Sequence, residues 1–326
     1  MTVQYDKLSK LNDKLTKGKI DIFFCSASFE ERCRSIADHL DLSRIGCSIV
    51  ATNVDFRELI AEDHQALREK FQKSGSDVKD LLLDTNDPIK SGDAINDMVN
   101  TVISRTKPQR FLVDITTFTR ESLLMLVRCL KWTAKKDDTI EFIYAHAKEY
   151  SVGDDQKDKW LSKGIREVRS VLGFPGDLLP SQRSHLIILV GFETERALSL
   201  IRECEPAAIS LGLPDGSELG TRPHQDANVY TIQRLKSILG HVDEFSFKAY
   251  DAEETRAVLR SQVHKKSAHN TIIAPMNTKI STLGAALLAL DDPSIQLCYA
   301  QANIYNYKRY STPDDNYYLV KLVGFP

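Results

Sequence analysis

Short apolar runs recur along the chain, each followed by a turn and then by a longer stretch with apolar residues at helical spacing. Residues 20–25, Ile-Asp-Ile-Phe-Phe-Cys, are apolar and β-prone and predict a buried strand. After the small turn Ser26-Ala27-Ser28, residues 29–40 predict a helix, with Ser28 as its N-cap and Glu30 and Glu31 in its first turn. The alternation continues with strands over 47–53, 78–83, 110–115 and 139–145, and helices over 55–73, 91–105 and 119–134. A short charged helix is predicted ahead of them, over 4–17. From His185 the pattern starts again, with strands over 185–190, 207–212, 243–250, 270–274 and 295–300. The helices between them fall at 193–203, 228–239, 252–265 and 278–290, and 317–322 predicts a further edge strand.

Strand and helix in strict alternation imply βαβ units and mainly parallel sheets, so the fold class expected is α/β, with two tandem Rossmann-like units. The length, 326 residues, suits two domains. Residues 151–183 change character: a charge-dense run at 153–159 is followed by the breakers Gly173-Phe174-Pro175-Gly176 and Leu179-Pro180. The expected division is therefore 1–150, a linker over 151–183, and 184–326. Within the linker, Trp160 and the spacing of Ile165, Val168 and Val171 predict one short docked helix.

The halves also resemble one another in detail. Ser28-Phe29-Glu30-Glu31-Arg32 matches Gly191-Phe192-Glu193-Thr194-Glu195-Arg196, both after a first strand. The segment 114–120, Asp-Ile-Thr-Thr-Phe-Thr-Arg, matches 274–279, Ala-Pro-Met-Asn-Thr-Lys, both after a penultimate strand. Tyr144-Ala145-His146-Ala147 with Tyr150-Ser151 resembles Tyr299-Ala300-Gln301-Ala302, with Tyr310-Ser311 further on. Three matches in the same order point to an internal duplication, whose turn regions can then face a shared ligand.

All three motifs sit at the carboxyl ends of predicted strands, where open α/β sheets bind ligands. Helix N-termini there favour anions, and Ser26, Ser28, Thr116, Thr117, Thr119 and Thr278 add hydroxyls. Arg120 and Lys279 open equivalent helices, and Gly191 and Asn277 line the turns beside them. The same hydroxyls also suit helix capping. Arg32 and Arg196 have two readings: phosphate ligands held by Glu30 and Glu193, or ion pairs that fix the first helical turn. Phe29 and Phe192 suit either anchoring of the turns or stacking on a base. For catalysis, the candidates are Asp114 at a strand end and Glu121 at a helix start, with His146 at another strand end.

Composition narrows the function classes. A net charge of -2 gives no general pull toward duplex nucleic acid or an anionic membrane. The sequence contains no apolar run of about 20 residues, and its first 19 residues lack a secretory pattern, so a cytoplasmic protein is expected. The six cysteines form no C-x-x-C pair and read as reduced thiols packed in apolar segments. Neither a metal nor a cofactor is expected. There is no Walker loop, no G-x-G-x-x-G after a first strand, no G-x-S-x-G elbow and no zinc-deaminase signature.

The run 114–120, together with Asn277-Thr278-Lys279, resembles the strand–turn–helix signature of CRISPR-associated Rossmann fold (CARF) domains. In that family a Thr-rich turn ending in Thr-Lys contacts a cyclic oligonucleotide, and the early turn at Ser26–Ser28 or Gly191 is similar to its first ligand loop. Fused tandem versions, the SAVED domains, belong to bacterial anti-phage signalling. This chain departs from the pattern in carrying Arg120 for Lys, in lacking the usual turn glycines, and in placing Pro275-Met276-Asn277 in the second half. The resemblance implies a nucleotide or cyclic-oligonucleotide sensor of a defence or stress-response system. Its ligand would lie at the strand-to-helix turns of both halves, and it would work with a protein partner or as a homo-oligomer. Two alternatives stand beside it: a hydrolase of nucleotide or NAD glycosidic bonds using Asp114 or Glu121, and an assembly subunit without a small ligand, built on Trp160 and on Tyr305, Tyr307, Tyr310, Tyr317 and Tyr318.

Overall fold

Every helix of the second half begins within about a turn of where the apolar periodicity places it, and the strands between them run parallel, as the alternation requires. The computed structural model describes residues 3–103, 106–152, 160–217, 224–322 and 325. The chain forms two compact units, one of residues 1–148 with 311–326 and one of residues 149–310. Each is an α/β unit built on its own sheet, and the two are alike.

In the first unit the strands are β1 (Val3–Lys7), β2 (Ile20–Ser26), β3 (Ile45–Asn53), β4 (Asp77–Leu83), β5 (Arg110–Asp114), β6 (Thr139–Tyr150) and β13 (Ser311–Lys321). Their order across the sheet is β1-β13-β6-β5-β2-β3-β4. Strands β2 to β6 pair in parallel, while β1 pairs antiparallel to β13. The helices are α1 (Leu11–Lys14), α2 (Ser35–His39), α3 (Ala61–Lys73), α4 (Pro88–Val102) and α5 (Arg120–Thr133). A strand buried on both faces reads as a continuous apolar run, and Phe23, Phe24 and Cys25 of β2 are accordingly buried. Phe23, Phe71, Leu112 and Ile143 share one core with Leu8, Leu11 and Leu15.

In the second unit β7 (Ser162–Pro175), β8 (Ser184–Leu189), β9 (Ala208–Pro214), β10 (Asp243–Phe247), β11 (Asn270–Pro275) and β12 (Gln296–Tyr305) lie in the order β10-β9-β8-β11-β12-β7. Strands β8 to β12 are parallel, and β7 runs antiparallel to β12. Helices α6 (Thr194–Cys204), α7 (Gln225–Leu239), α8 (Ala252–Lys265) and α9 (Lys279–Asp291) complete the unit. Leu186, Ile188, Leu200, Leu211, Leu235 and Ala274 belong to its core.

The two strand orders superimpose when β2 is set on β8 and the others follow. Strand β13 beside β6 then corresponds to β7 beside β12. Each of these antiparallel strands follows, in sequence, the last parallel strand of the other unit.

Four expectations are corrected. The helix expected over 4–17 is strand β1, a short 3-10 turn and the single turn α1, because the Val3–Lys7 backbone bonds to β13. The helix expected over 29–40 is a 3-10 segment, Glu31–Arg34, followed by the short α2. The short helix expected around Ile165, Val168 and Val171 is part of β7, a fourteen-residue strand whose partner β12 lies far along the chain. The edge strand expected over 317–322 is β13, an interior strand of the first unit between β1 and β6, with Tyr317 and Tyr318 buried. The chain segment 311–326 therefore belongs with the first unit. The charge run at 153–159 lies outside the described residues. Cys25, Cys33 and Cys298 are buried thiols, and Cys47, Cys129 and Cys204 are half-buried.

Candidate functional site

In each unit the chain turns one way after the first parallel strand and the other way after the fourth, so the sheet has a switch point between β2 and β5, and between β8 and β11. The loops leaving those two strands diverge to opposite faces, and the crevice between them is where this architecture takes ligands. The sequence-predicted site residues lie on these loops or at the ends of the strands and helices that they join.

In the first unit Thr117 reaches across the switch point and donates its hydroxyl to the Ser26 carbonyl at 2.6 Å. The Ser26 hydroxyl turns back to the Ala27 carbonyl at 3.3 Å. Ser28 accepts from the Glu30 N–H at 3.2 Å, a turn rather than the helix cap predicted for it. Thr119 is the N-cap of α5, accepting from the Ser122 N–H at 3.1 Å and sharing a 2.7 Å hydrogen bond with the Ser122 hydroxyl. Arg120, half-buried, is the first residue of the helix.

The second unit repeats the arrangement with different side chains. Asn277 spans the switch point, donating its side-chain amide to the Val190 carbonyl at 2.5 Å, while its Oδ1 accepts from the Thr278 N–H at 3.0 Å. Thr278 caps α9, accepting from the Ser281 N–H at 3.0 Å, and half-buried Lys279 opens the helix. Gly191 lets the two loops touch backbone to backbone: a Cβ there would lie 2.3 Å from the Met276 carbonyl oxygen. In both units, then, the cap hydroxyl accepts from its own helix, and that of Thr278 also donates to the Ala249 carbonyl. Each corner places the first N–H groups of a helix, α5 or α9, beside a cation at its start, an arrangement that suits an anion.

Asp114 and Thr116 lie deeper. Asp114 is 2% exposed, and its Oδ1 accepts the Thr116 N–H at 3.0 Å and also the Thr116 hydroxyl. The Thr116 oxygen in turn accepts from the Ala145 N–H at 2.9 Å. Burial pushes the Asp114 carboxyl up to about 7, against the downward pull of the two Thr116 donors and of the Arg32 charge. Glu121, in the first turn of α5, is also buried, at 3% exposure. His146 is buried on β6 and bonds through Nδ1 to Asp314 at 2.8 Å.

The glutamate–arginine pairs are duplicated, with Glu30, Arg32 and Arg196 buried and Glu193 half-buried. Arg32 ion-pairs with Glu30 at 2.6 Å, donates to the Ala145 carbonyl at 2.9 Å and lies 5.6 Å over the Tyr144 ring. The Ser311 hydroxyl donates to Glu30 at 2.6 Å and accepts from Arg32 Nε at 3.1 Å. Arg196 ion-pairs with Glu193 at 2.7 Å, donates to the Ala300 carbonyl and lies 5.7 Å over the Tyr299 ring. Ser162 hydrogen-bonds to Glu193. Neither serine was singled out as a site residue by sequence reasoning. Each is the first residue of the antiparallel strand, β13 or β7, and only the sheet order brings it to the turn. The tyrosine and alanine partners fall in the matched Tyr-Ala segments, a signal that the sequence does carry.

Phe29 and Phe192 are half-buried, and each meets another ring edge-on: Phe29 meets Phe56 at 5.5 Å, and Phe192 meets His224 at 5.7 Å. Among the described residues no group of three or more His, Cys, Asp or Glu side chains is placed to hold a metal ion. No helix among them is long and apolar enough to cross a membrane.

The fold and the site thus define a protein of two Rossmann-like units, each with a capped, cation-headed helix at its switch point. No protein-family model matches the sequence, and no curated protein sequence matches it. Among solved structures the chain is similar to a type III CRISPR defence DNA nuclease activated by cyclic oligoadenylate, with a TM-score of 0.53 at 7% identity, over 90% of this chain and 67% of that one. The cytoplasmic domain of a prokaryotic cation chloride cotransporter aligns over 90% of this chain and 98% of its own, with a TM-score of 0.29 at 10% identity. At these identities the first likeness concerns the fold alone.

Proposed function

We propose that the protein binds an anionic nucleotide, of the cyclic oligonucleotide class, at the strand-to-helix turns of both units, and that it acts as a sensor rather than a catalyst. The observation that carries this reading is the duplicated corner in which a capping threonine, Thr119 or Thr278, precedes a half-buried cation, Arg120 or Lys279, at a helix start. Backbone N–H groups and a fixed cation at one helix end suit a phosphate. The turn resembles that of CARF domains. The ligand named for the structural neighbour, cyclic oligoadenylate, is therefore the first probe. Asp114 and Glu121 are both buried, which supports binding over turnover.

The test is a thermal-shift and calorimetry panel of cyclic oligoadenylates, cyclic dinucleotides and mononucleotides, with mass spectrometry of each incubated ligand. A ligand present at 100 times its Kd stabilises the native state by about 2.7 kcal/mol. The expected result is such a shift for a cyclic oligonucleotide, lost in Arg120→Ala and Lys279→Ala, with the ligand recovered intact. A panel without any shift removes the proposal. A product whose formation stops in Asp114→Asn or Glu121→Gln replaces it with the hydrolase reading.

A further inference from the structure

The buried arginines have a second consequence. Arg32 is 2% exposed and Arg196 is 5% exposed. Their guanidinium groups face Glu30, Ala145, Tyr144 and Ser311 in one unit, and Glu193, Ala300 and Tyr299 in the other. The parts are alike in both: a glutamate from the turn after the first strand with an arginine two or three residues on, an alanine carbonyl and tyrosine ring from the last parallel strand, and a serine from the start of the antiparallel strand, which meets both charges in the first unit and Glu193 in the second. Each serine touches the turn's glutamate, so the turn and the incoming strand share one buried ion pair.

We propose that Arg32 and Arg196 are positioning residues rather than ligand contacts: each locks the ligand-facing turn of its unit to the first residue of β13 or β7, so that turn and strand open and close together. The physical reason is that a buried charge pair tolerates few half-open states. Separating Ser311 from Glu30 and Arg32 strips a hydrogen bond from both charges, and a bond to a charged group is among the stronger kinds. The turn that carries Glu30 and Arg32 also carries Ser28, and the Ala145 backbone that accepts from Arg32 also donates to Thr116. A displaced clasp therefore shifts the binding turns from behind. The coupling itself does not depend on the proposed ligand; only its use in sensing rests on that reading.

The experiment is amide hydrogen exchange on the full-length protein. Ser311→Ala removes the shared hydroxyl with little loss of volume. It is expected to raise exchange about tenfold in two segments together, residues 28–33 and residues 311–316, and to leave 162–167 and 191–196 unchanged. Ser162→Ala is expected to give the mirror image. Ser311→Thr and Ser162→Thr keep the hydroxyl and are expected to restore protection, which loss of side-chain packing alone would not predict. Exchange that rises in the strand but not in the turn, or a threonine variant that fails to restore it, overturns the proposal. In a second arm, cyclic tetra-adenylate is titrated into each variant, and affinity is expected to fall with serine-to-alanine and recover with serine-to-threonine. If the wild-type protein binds none of the cyclic oligonucleotides, the sensor reading fails, and the exchange data still decide the coupling.

Discussion

Replacing Asp114 with asparagine isolates the effect of a carboxyl group buried at the end of β5, at the head of the turn into α5. In the folded protein burial holds this group up to about 7, whereas its ordinary value is 3.8. Between those two values the folded chain keeps a proton that the unfolded chain has already lost. Stability from this group is therefore fully present below about pH 4 and is lost as the pH rises to about 7, at about 1.4 kcal/mol per pH unit. The whole interval corresponds to about 4 kcal/mol. The substituted amide would keep a carbonyl oxygen for the Thr116 N–H and hydroxyl and would have no proton to lose. The difference in unfolding free energy between Asp114→Asn and wild type should therefore swing toward the variant by about 4 kcal/mol between pH 4 and pH 8. Any fixed cost of fitting the amide moves the whole curve and leaves this swing intact. The protein has two tryptophans, of which Trp132 lies in α5 of the first unit. A Trp160→Phe background thus gives a fluorescence signal local to that unit during urea unfolding, which matters because two units need not unfold in one step. Parallel stability–pH curves for the two proteins would refute the argument, since they would show that Asp114 is ionised alike in the folded and unfolded chains.

The second unit carries the opposite pH dependence. His185 of β8 is buried with Nε2 2.8 Å from the Ser210 hydroxyl, and burial, then the charges of Lys266 and His269, push it down to about 4 from 6.5, with Asp243 opposing. Its stabilising effect is present above pH 6.5 and is lost as the pH falls toward 4, about 3 kcal/mol in all. Urea unfolding in a Trp132→Phe background should show that loss, and His185→Gln should flatten it; an unchanged slope would remove His185 as its source. Gly191→Ala places a Cβ 2.3 Å from the Met276 carbonyl oxygen, a backbone atom that no rotamer change can move. It should destabilise the second unit by about 1–3 kcal/mol. A thermal midpoint equal to wild type would show that the two loops are free to separate.

What the sequence made legible and what it hid divide along a physical line. Where an element answers to its own neighbours in sequence, the apolar pattern placed it well: α8 begins and ends at Ala252 and Lys265, as its periodicity and the Asp251 cap require. Where an element answers to a distant partner, the pattern misled. Ile165, Val168 and Val171 are spaced three apart and read as a helix, yet their segment pairs with β12 more than a hundred residues later, and the ladder outweighs the local spacing. The same holds for Val3–Lys7, whose partner is β13. The capping threonines were legible because a cap is local. The arginine–glutamate pairs were legible as pairs. Their burial was not, because the serines and carbonyls that complete them arrive from strands whose place in the sheet only the tertiary fold determines.

The duplication also bears on what Asp114 is for. With Tyr144 matched to Tyr299, the strand pairings set Val113 on Ile273, which puts Asp114 opposite Ala274 and Thr116 opposite Met276. Thr116 has a backbone N–H buried in the turn, and Asp114 accepts it. Met276 gives its N–H to the Leu189 carbonyl at 3.0 Å, and at the position of the acid the second unit has the apolar Ala274. The acid is present where the turn N–H is met by a side chain and absent where a backbone carbonyl meets it. That is the pattern expected of a group that completes a turn, since a buried donor without an acceptor costs about 1–3 kcal/mol. A general acid or base would follow the reacting ligand instead, with no reason to track a backbone amide two residues away. On the proposed reading, the raised carboxyl of Asp114 is then a by-product of supporting a buried turn, and ligand binding would rest on the groups that both units keep: the helix-start N–H groups and the cations Arg120 and Lys279.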